Sequence, residues 1–201
     1  SIISGERVAH AYLFIGQKGA GKKTLADLFA RSLLCTSKGD KPCGVCKSCR
    51  QISSGNHPDV MYIRSDKTVI GVNLIREMLK SVYVKPYQGD RKIYIIEKAN
   101  TMTPQAQNAL LKTLEEPPSF VNILLIADNA SGLLPTVLSR CQRLIVPPLS
   151  RDQISKILIQ NSYAPPNEAA LYARLSEGLP GRAIQISSST EFKELREETF
   201  R

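Results

Sequence analysis

The chain has 201 residues, of which 42% are hydrophobic and 22% are charged. These shares are typical of a globular protein and exclude intrinsic disorder and fibrous architectures. The length allows one large α/β domain, or one domain and part of a second. With 27 basic and 18 acidic residues the formal net charge is +9, which favours an anionic partner because basic surfaces attract phosphates.

No stretch of the sequence contains the roughly 18 to 20 consecutive apolar residues that a membrane-spanning helix needs. Residues 1–7 lack the basic and then apolar pattern of a secretory signal. They also lack an initiator Met, so further residues are expected before Ser1. We therefore expect a soluble, cytoplasmic protein without a membrane partner.

Short apolar segments of strand type alternate with segments of helical periodicity along the first three quarters of the chain. Strands are predicted at residues 10–15, 59–63, 92–97, 121–126 and 143–146. Helices are predicted at residues 25–34, 73–79, 103–115 and 134–140, with a short helix that ends near residue 55. Because parallel strands need crossover connections, this alternation predicts a mostly parallel five-stranded sheet covered by helices on both faces.

Two helix starts carry recognisable capping residues. Asn73 is expected to cap the helix that follows it. Thr103 precedes Pro104, which suits the first helical position because it needs no backbone N–H there. From residue 149 onward the sequence shows helical patterns only. We therefore predict an α/β core of residues 1–148, with a cysteine-rich module inserted at residues 35–50, and an all-helical domain of residues 149–201.

A glycine-rich segment follows the first predicted strand and precedes the first predicted helix. It reads GQKGAGKKT over Gly16–Thr24 and fits the pattern of a phosphate-binding loop, Gly-x4-Gly-Lys. Its glycines let several backbone N–H groups face one anion, and Lys22 is expected to reach the β and γ phosphates. The alternative interpretation is a strand-to-helix turn that merely needs glycine.

Two positions in this predicted centre depart from those of an active ATPase. Lys23 stands where Ser or Thr would place a hydroxyl on Mg²⁺, and Thr24 comes one residue too late to replace it. The strand at 92–97 leads into Glu97-Lys98, where an active enzyme has Asp-Glu to hold the metal and to orient water. The sequence therefore predicts little or no hydrolysis and leaves the binding of ATP or ADP open.

Four cysteines lie within fifteen residues: Cys35, Cys43, Cys46 and Cys49. This spacing indicates a Zn²⁺ site, and four protein ligands leave no open position, so the zinc is expected to be structural. The alternatives are free or redox-active cysteines, or a site in which His57 replaces Cys35. We expect His57 to lie in a turn instead.

Three segments together resemble those of a known family. They are the cysteine segment CGVCKSC after the phosphate loop, the segment NALLKTLEEPP at 108–118 and the segment LSRCQ at 138–142. The chain resembles bacterial clamp-loader subunits of the AAA+ class along nearly its whole length. In that family the gamma or tau branch keeps an intact ATPase centre, whereas the delta-prime branch has lost it at both of the places described above. The sequence resembles the delta-prime branch.

The resemblance implies a non-hydrolysing subunit of the DNA polymerase III clamp loader, found in the cytoplasm with the replisome at the nucleoid. Its implied partners are the gamma or tau ATPase subunit and the delta subunit in a hetero-pentamer, the sliding clamp, and primed DNA through the complex. The resemblance also implies a helical lid domain at 149–201 and a C-terminal collar domain that this chain does not contain.

The family pattern also assigns residues. Arg140, within Ser139-Arg140-Cys141, is implied to point at the γ phosphate of ATP on the neighbouring ATPase subunit, as an arginine finger supplied in trans. A local pair with a carboxylate is the alternative for Arg140, and Cys141 is expected to be buried. Arg182 is implied to approach phosphate within its own subunit, although a solvated Arg182 is equally compatible with the sequence. The candidate nucleotide-binding residues are therefore Gly16, Gly19, Gly21, Lys22, Lys23, Thr24 and Arg182.

Two other functions remain compatible with the sequence. One is a working clamp-loader ATPase of the gamma or tau type. The other is a zinc-containing nucleic-acid-binding protein that uses the phosphate-loop fold as a scaffold.

Overall fold

A computed structural model describes residues 8–189 of the chain. The predictions about residues 1–7, and about the part of the helical domain at 190–201, lie outside the described residues. Within the described part of the chain, no helix is both long enough and apolar enough to cross a membrane.

The described elements follow the alternation that the sequence predicts. In chain order they are β1 (Ala11–Ile15), α1 (Lys22–Leu34), α2 (Lys47–Ser53), β2 (Val60–Ile63), α3 (Val72–Val82), β3 (Lys92–Ile96), a short 3₁₀ helix (Ala99–Thr101), α4 (Pro104–Glu115), β4 (Val121–Ala127), α5 (Pro135–Leu138), β5 (Gln142–Ile145), α6 (Arg151–Gln160), α7 (Pro166–Leu175) and α8 (Pro180–Ser188).

All five strands pair in parallel, in the order β2-β3-β4-β1-β5. Every residue of β3 and β4 is buried, as expected for central strands that are covered on both faces. β5 lies at one edge of the sheet, and most of its residues are exposed. The predicted fold class, a parallel five-stranded sheet with helices, is confirmed.

The described residues divide into two compact units. The first contains the residues up to Ile15 together with Lys22–Ile145, and its core joins the sheet to α3 and α4. Tyr94 and Leu110 are fully buried in this core. The division of the chain into a core of residues 1–148 and a helical lid stays a prediction.

The second unit contains Gly16–Gly21 and the described residues from Val146 on. α6, α7 and α8 enclose a small apolar core with Ile154, Leu158 and Tyr172 at its centre. A capping box starts α6, because the Ser150 hydroxyl accepts from the Gln153 backbone N–H and the Gln153 side chain accepts from the Ser150 N–H.

One predicted helix start is confirmed and the other is wrong. The Thr103 hydroxyl accepts a hydrogen bond from the backbone N–H of Ala106 and caps α4, with Pro104 at the first helical position. By contrast, α3 is preceded by Gly71 and begins at Val72, so Asn73 lies inside the first turn. The reason is tertiary, since Ile70 forms a β-bridge to Met102 and the chain turns into the helix directly after that bridge.

Gln107 is a buried amide on α4 that joins the helix to two loops. Its Nε2 donates to the carbonyls of Met102, at 3.0 Å, and Gly132, at 2.8 Å. Its Oε1 accepts from the backbone N–H of Leu134, at 2.7 Å. The side chain is 1% exposed, so water cannot replace these partners without structural change.

Replacement of Gln107 by Ala is expected to lower the free energy of unfolding by about 2–3 kcal/mol, because it leaves buried backbone groups unpaired. Urea denaturation followed by circular dichroism measures the change. Gln105→Ala, at an exposed position of the same helix, is the matched control. Equal stability of the two variants would contradict the expectation.

Candidate functional site

The four cysteines named above converge at one place in the first unit. Cys35 follows α1, Cys43 lies in the connecting loop, Cys46 caps the N-terminus of α2, and Cys49 lies in its first turn. Their Sγ atoms all lie within 4.8 Å of one another. Four sulfurs bound tetrahedrally to one ion at about 2.3 Å would lie about 3.8 Å apart. The cluster can therefore hold a metal ion with little rearrangement.

Backbone N–H groups already point at three of the sulfurs. The N–H of Cys43 donates to Cys35 Sγ at 3.4 Å, that of Cys46 to Cys43 Sγ at 3.4 Å, and that of Cys49 to Cys46 Sγ at 3.5 Å. Gly44 permits this tight loop through its positive φ of 74°. Such hydrogen bonds favour thiolates, the form in which cysteine binds metals.

The thiols of the cluster differ in acidity. Hydrogen bonding from the Cys49 backbone lowers the pKa of Cys46 to about 6, whereas burial raises the pKa of Cys49 to about 12. His57 is not in the cluster found among the described residues. Its Nδ1 accepts a hydrogen bond from the Asp59 backbone at 3.1 Å, so His57 lies in the turn before β2.

Two glycines of the phosphate-loop segment Gly16–Gly21 adopt the left-handed backbone conformation that favours glycine. Gly19 and Gly21 both have φ of +88°, a conformation that other residues rarely adopt. The carbonyl of Gly19 accepts a hydrogen bond from the Gly181 N–H at 2.9 Å. Arg182 follows Gly181, and its guanidinium pairs with Glu177 at 2.8 Å on the surface of the second unit.

Lys22, the first residue of α1, is 6% exposed and lies 2.8 Å from the carboxylate of Asp128. Asp128 directly follows β4, and its backbone N–H donates to Asn100 Oδ1 at 3.1 Å. Asp128 belongs to none of the sequence motifs described above. A signal was present, because an acidic residue directly after a parallel strand lies at the same edge of the sheet as the start of α1.

Lys23 is in contact with Glu97, which belongs to the Glu97-Lys98 pair named in the sequence analysis. Lys23 Nζ lies 3.2 Å from Glu97 Oε1, and Arg64 Nε lies 2.8 Å from the same oxygen. Both cations also lie over the ring of Tyr62, at 5.7 Å for Lys23 and 5.0 Å for Arg64. Two protein cations therefore surround the carboxylate that follows β3.

Tyr62 also connects this group to α1, because its hydroxyl donates to Asp27 Oδ1 at 2.9 Å. Burial raises the pKa of Asp27 above its usual range, and burial also raises that of Tyr62. Lys98, which stands where an active enzyme has a carboxylate, is exposed and adopts a positive φ of 55°.

Arg140 lies just beyond α5 and contacts three acceptors. Its Nη2 lies 2.6 Å from Glu115 Oε1. Its Nη1 donates to the Thr136 carbonyl at 2.8 Å and to Ser139 Oγ at 3.3 Å. The local carboxylate pair considered for Arg140 is therefore present. Next to it, Cys141 is buried, and burial raises the pKa of its thiol to about 11.

The family model described as DNA polymerase III, delta subunit, matches residues 1–150. The DNA polymerase III subunit delta' of Bacillus subtilis is 37% identical over 199 residues, which cover 99% of this chain and 60% of that protein. The delta' subunit of Pseudomonas aeruginosa is 40% identical over 136 residues, covering 66% of this chain and 42% of that protein. The chain thus spans less than two thirds of these relatives.

Other relatives and structures resemble the chain as well. The tau subunit of Escherichia coli is 38% identical over 187 residues, covering 90% of this chain and 29% of that protein. A gamma subunit-related protein of Thermotoga maritima has a TM-score of 0.54 at 21% identity, covering 94% of this chain and 73% of that chain. The RuvB Holliday junction branch migration motor of the same organism has a TM-score of 0.58 at 16% identity, covering 94% of this chain and 54% of that chain. At these identities the two structures show a shared fold.

Purified protein is expected to contain one metal ion per chain, as measured by elemental mass spectrometry, because four thiols converge within the span of one ion. Cys46→Ser should remove most of the metal, since the remaining three sulfurs leave a site without its fourth ligand. Cys141→Ser replaces a buried cysteine outside the cluster and should keep the full metal content. Equal metal content in both variants would exclude the cluster as the site.

Proposed function

Since this chain belongs to the DNA polymerase III delta-subunit family, we propose that it is a non-hydrolysing, delta-prime type subunit of the clamp loader. In this proposal its place is in a hetero-pentamer with the gamma or tau ATPase subunit and the delta subunit. That assembly loads the sliding clamp onto primed DNA. The chain itself supplies Arg140 to the ATP that the neighbouring ATPase subunit holds.

The observation that carries the proposal is that Lys22 and Glu97 are paired with charged side chains of the chain itself. In an active ATPase the residues at these positions contact the nucleotide and the metal ion. Lys22 is held by Asp128 at 2.8 Å. A triphosphate would have to displace this carboxylate and then lie beside its negative charge. Both requirements weaken nucleotide binding, because like charges repel one another.

Protein cations also lie near the position that a metal ion takes in an active ATPase. In an active centre Mg²⁺ is held by a Ser or Thr of the loop and by an Asp after the neighbouring strand. Here the ammonium of Lys23 lies 3.2 Å from Glu97, and Arg64 contacts the same oxygen. These two cations compensate the charge of the carboxylate and repel a divalent cation. The exposed Lys98 adds a further positive charge and cannot act as a base while it is protonated.

The trans role of Arg140 is supported by its exposure and position. The side chain is 33% exposed and lies just before the edge strand β5. Three acceptors contact the guanidinium among the described residues, so N–H donors remain with which it can bind an incoming phosphate. An arginine offered from a neighbouring subunit stabilises the charge on the transferring phosphoryl group.

The remaining features fit the same proposal. We assign the metal as a structural Zn²⁺, because an all-cysteine tetrahedral set is typical of zinc and leaves no open position. In this proposal residues 149–201 correspond to the lid, and the cytoplasm is the compartment. A working ATPase of the tau type is the competing function, since the tau relative is 38% identical over 90% of the chain.

The isolated chain is expected to show no sustained ATP hydrolysis in a phosphate-release assay. Lys23→Thr, which restores the hydroxyl at the metal position, should not restore turnover, because Lys98 and Asp128 remain. Isothermal titration with ATP and Mg²⁺ measures binding separately from turnover. Sustained hydrolysis that Lys22→Ala abolishes would establish the competing ATPase function instead.

Arg140→Ala in the reconstituted complex is expected to reduce the DNA-stimulated ATPase rate. At the one ATP site that this arginine serves, the loss in kcat should be on the order of 10³-fold. Thermal unfolding and metal content of the variant should match the unchanged chain, since the residue lies at the surface. Arg143→Ala, at an exposed position of the nearby β5, is the matched control. An unchanged ATPase rate in Arg140→Ala would contradict the role of Arg140 as an arginine finger.

A further inference from the structure

We propose that Glu115 is a positioning residue for Arg140, which orients the guanidinium toward the ATP of the neighbouring subunit. The proposal rests on the function proposed above and adds a second residue to it. Glu115 is the last residue of α4, whereas Arg140 lies in the turn after α5, so the two side chains come from separate elements of the fold.

The guanidinium is held from two directions. Glu115 Oε1 contacts Nη2 at 2.6 Å, while Nη1 donates to the Thr136 carbonyl and to Ser139 Oγ. The Ser139 hydroxyl is itself oriented, because it donates to the same Thr136 carbonyl at 3.1 Å. Since the guanidinium is planar, contacts at both Nη atoms fix the plane as well as the position of the group.

The backbone that carries Glu115 is fixed. Leu114, the preceding residue, is 1% exposed within the core. Its carbonyl lies 2.8 Å from Nε2 of His10, which comes just before β1. The Glu116 N–H closes the last turn of α4 by donating to the Lys112 carbonyl at 3.0 Å. The carboxylate of Glu115 is therefore presented from a rigid helix end.

The place of Glu115 on its helix argues for a role beyond helix stability. An acidic residue in the last turn faces the negative end of the helix dipole, which costs about 0.3–1 kcal/mol unless a cation compensates. Arg140 is that cation. The exposed fractions of the two side chains, 47% for Glu115 and 33% for Arg140, mean that the pair adds little to the stability of the fold.

The arrangement leaves the guanidinium accessible to an anion. Arg140, Glu115, Ser139, His10 and Leu114 line an open cleft of about 510 Å³. Arginine has five N–H donors, and three acceptors contact it among the described residues. Donors remain for phosphoryl oxygens, so Glu115 can keep hold of one edge of the group while another edge binds phosphate.

The test uses the complete subunit reassembled with its ATPase and delta partners, with DNA-stimulated ATP hydrolysis as the readout. Glu115→Ala is expected to lower kcat by about 10-fold at the site that Arg140 serves, because a displaced catalytic group loses orientation. The KM for ATP should change little. Glu115→Gln keeps an acceptor for Nη2 and should restore part of the rate. Glu116→Ala, which removes the neighbouring exposed charge, should behave as the unchanged chain.

The double variant separates positioning from a general structural effect. If Glu115 acts through Arg140, then Glu115→Ala should cause no further loss when Arg140 is already Ala. A further loss in the double variant, or a normal rate in Glu115→Ala beside a reduced rate in Arg140→Ala, would overturn the positioning role alone. A normal rate in Arg140→Ala itself would instead overturn the proposed function.

Discussion

The parallel pairing of β3, β4 and β1 is the constraint on which the chemistry of the first unit depends. Because these strands run in the same direction, their carboxyl ends lie along one edge of the sheet. Glu97 follows β3, Asp128 follows β4, and α1 begins shortly after β1 with Lys22 and Lys23. Residues far apart in the chain therefore meet as two ion pairs.

In the proposed function, these ion pairs take the place of contacts to external ligands. In an active ATPase of this fold, a nucleotide and a metal ion bring opposite charges together at this edge of the sheet. Here Asp128 supplies the negative charge for Lys22, and Lys23 supplies the positive charge for Glu97. Lys22 and Glu97 thus have partners of opposite charge within the chain, which suits the proposed role of a subunit without an ATP cycle of its own.

Arg140 and the four cysteines are not part of these ion pairs, and the two make different kinds of interaction. The cysteines form a closed set of four sulfurs with backbone N–H groups already directed at them, which suits structural metal binding. Arg140 is by contrast one third exposed, at 33%, and its pair with Glu115 leaves other N–H donors of the guanidinium available. In the proposed function, the first arrangement stabilises the inserted module, and the second keeps a cation available for a neighbouring subunit.

The sequence by itself determined the sheet, the helical character of the later residues and the cysteine cluster. Strand and helix periodicities are local properties, and cysteines at short spacing on one loop and one helix must lie close together. Thr103 was identifiable as a helix cap for the same reason, because its hydroxyl bonds to a backbone N–H only three residues away. The sequence also shows that Lys23 stands in place of Ser or Thr, but it does not show that Lys23 pairs with Glu97.

Only the tertiary structure decided which charges neutralise one another. Asp128 lies 106 residues from Lys22, and Glu115 lies 25 residues from Arg140, so neither pair leaves a periodic or short-range signal in the chain. The start of α3 was misplaced for a related reason, because the bridge between Ile70 and Met102 prevails over the local capping preference of Asn73. Contacts between residues far apart in the chain depend on strand order and on where helices end. Strand order and helix ends are decided when the sheet and helices pack together, and neighbouring residues alone do not specify them.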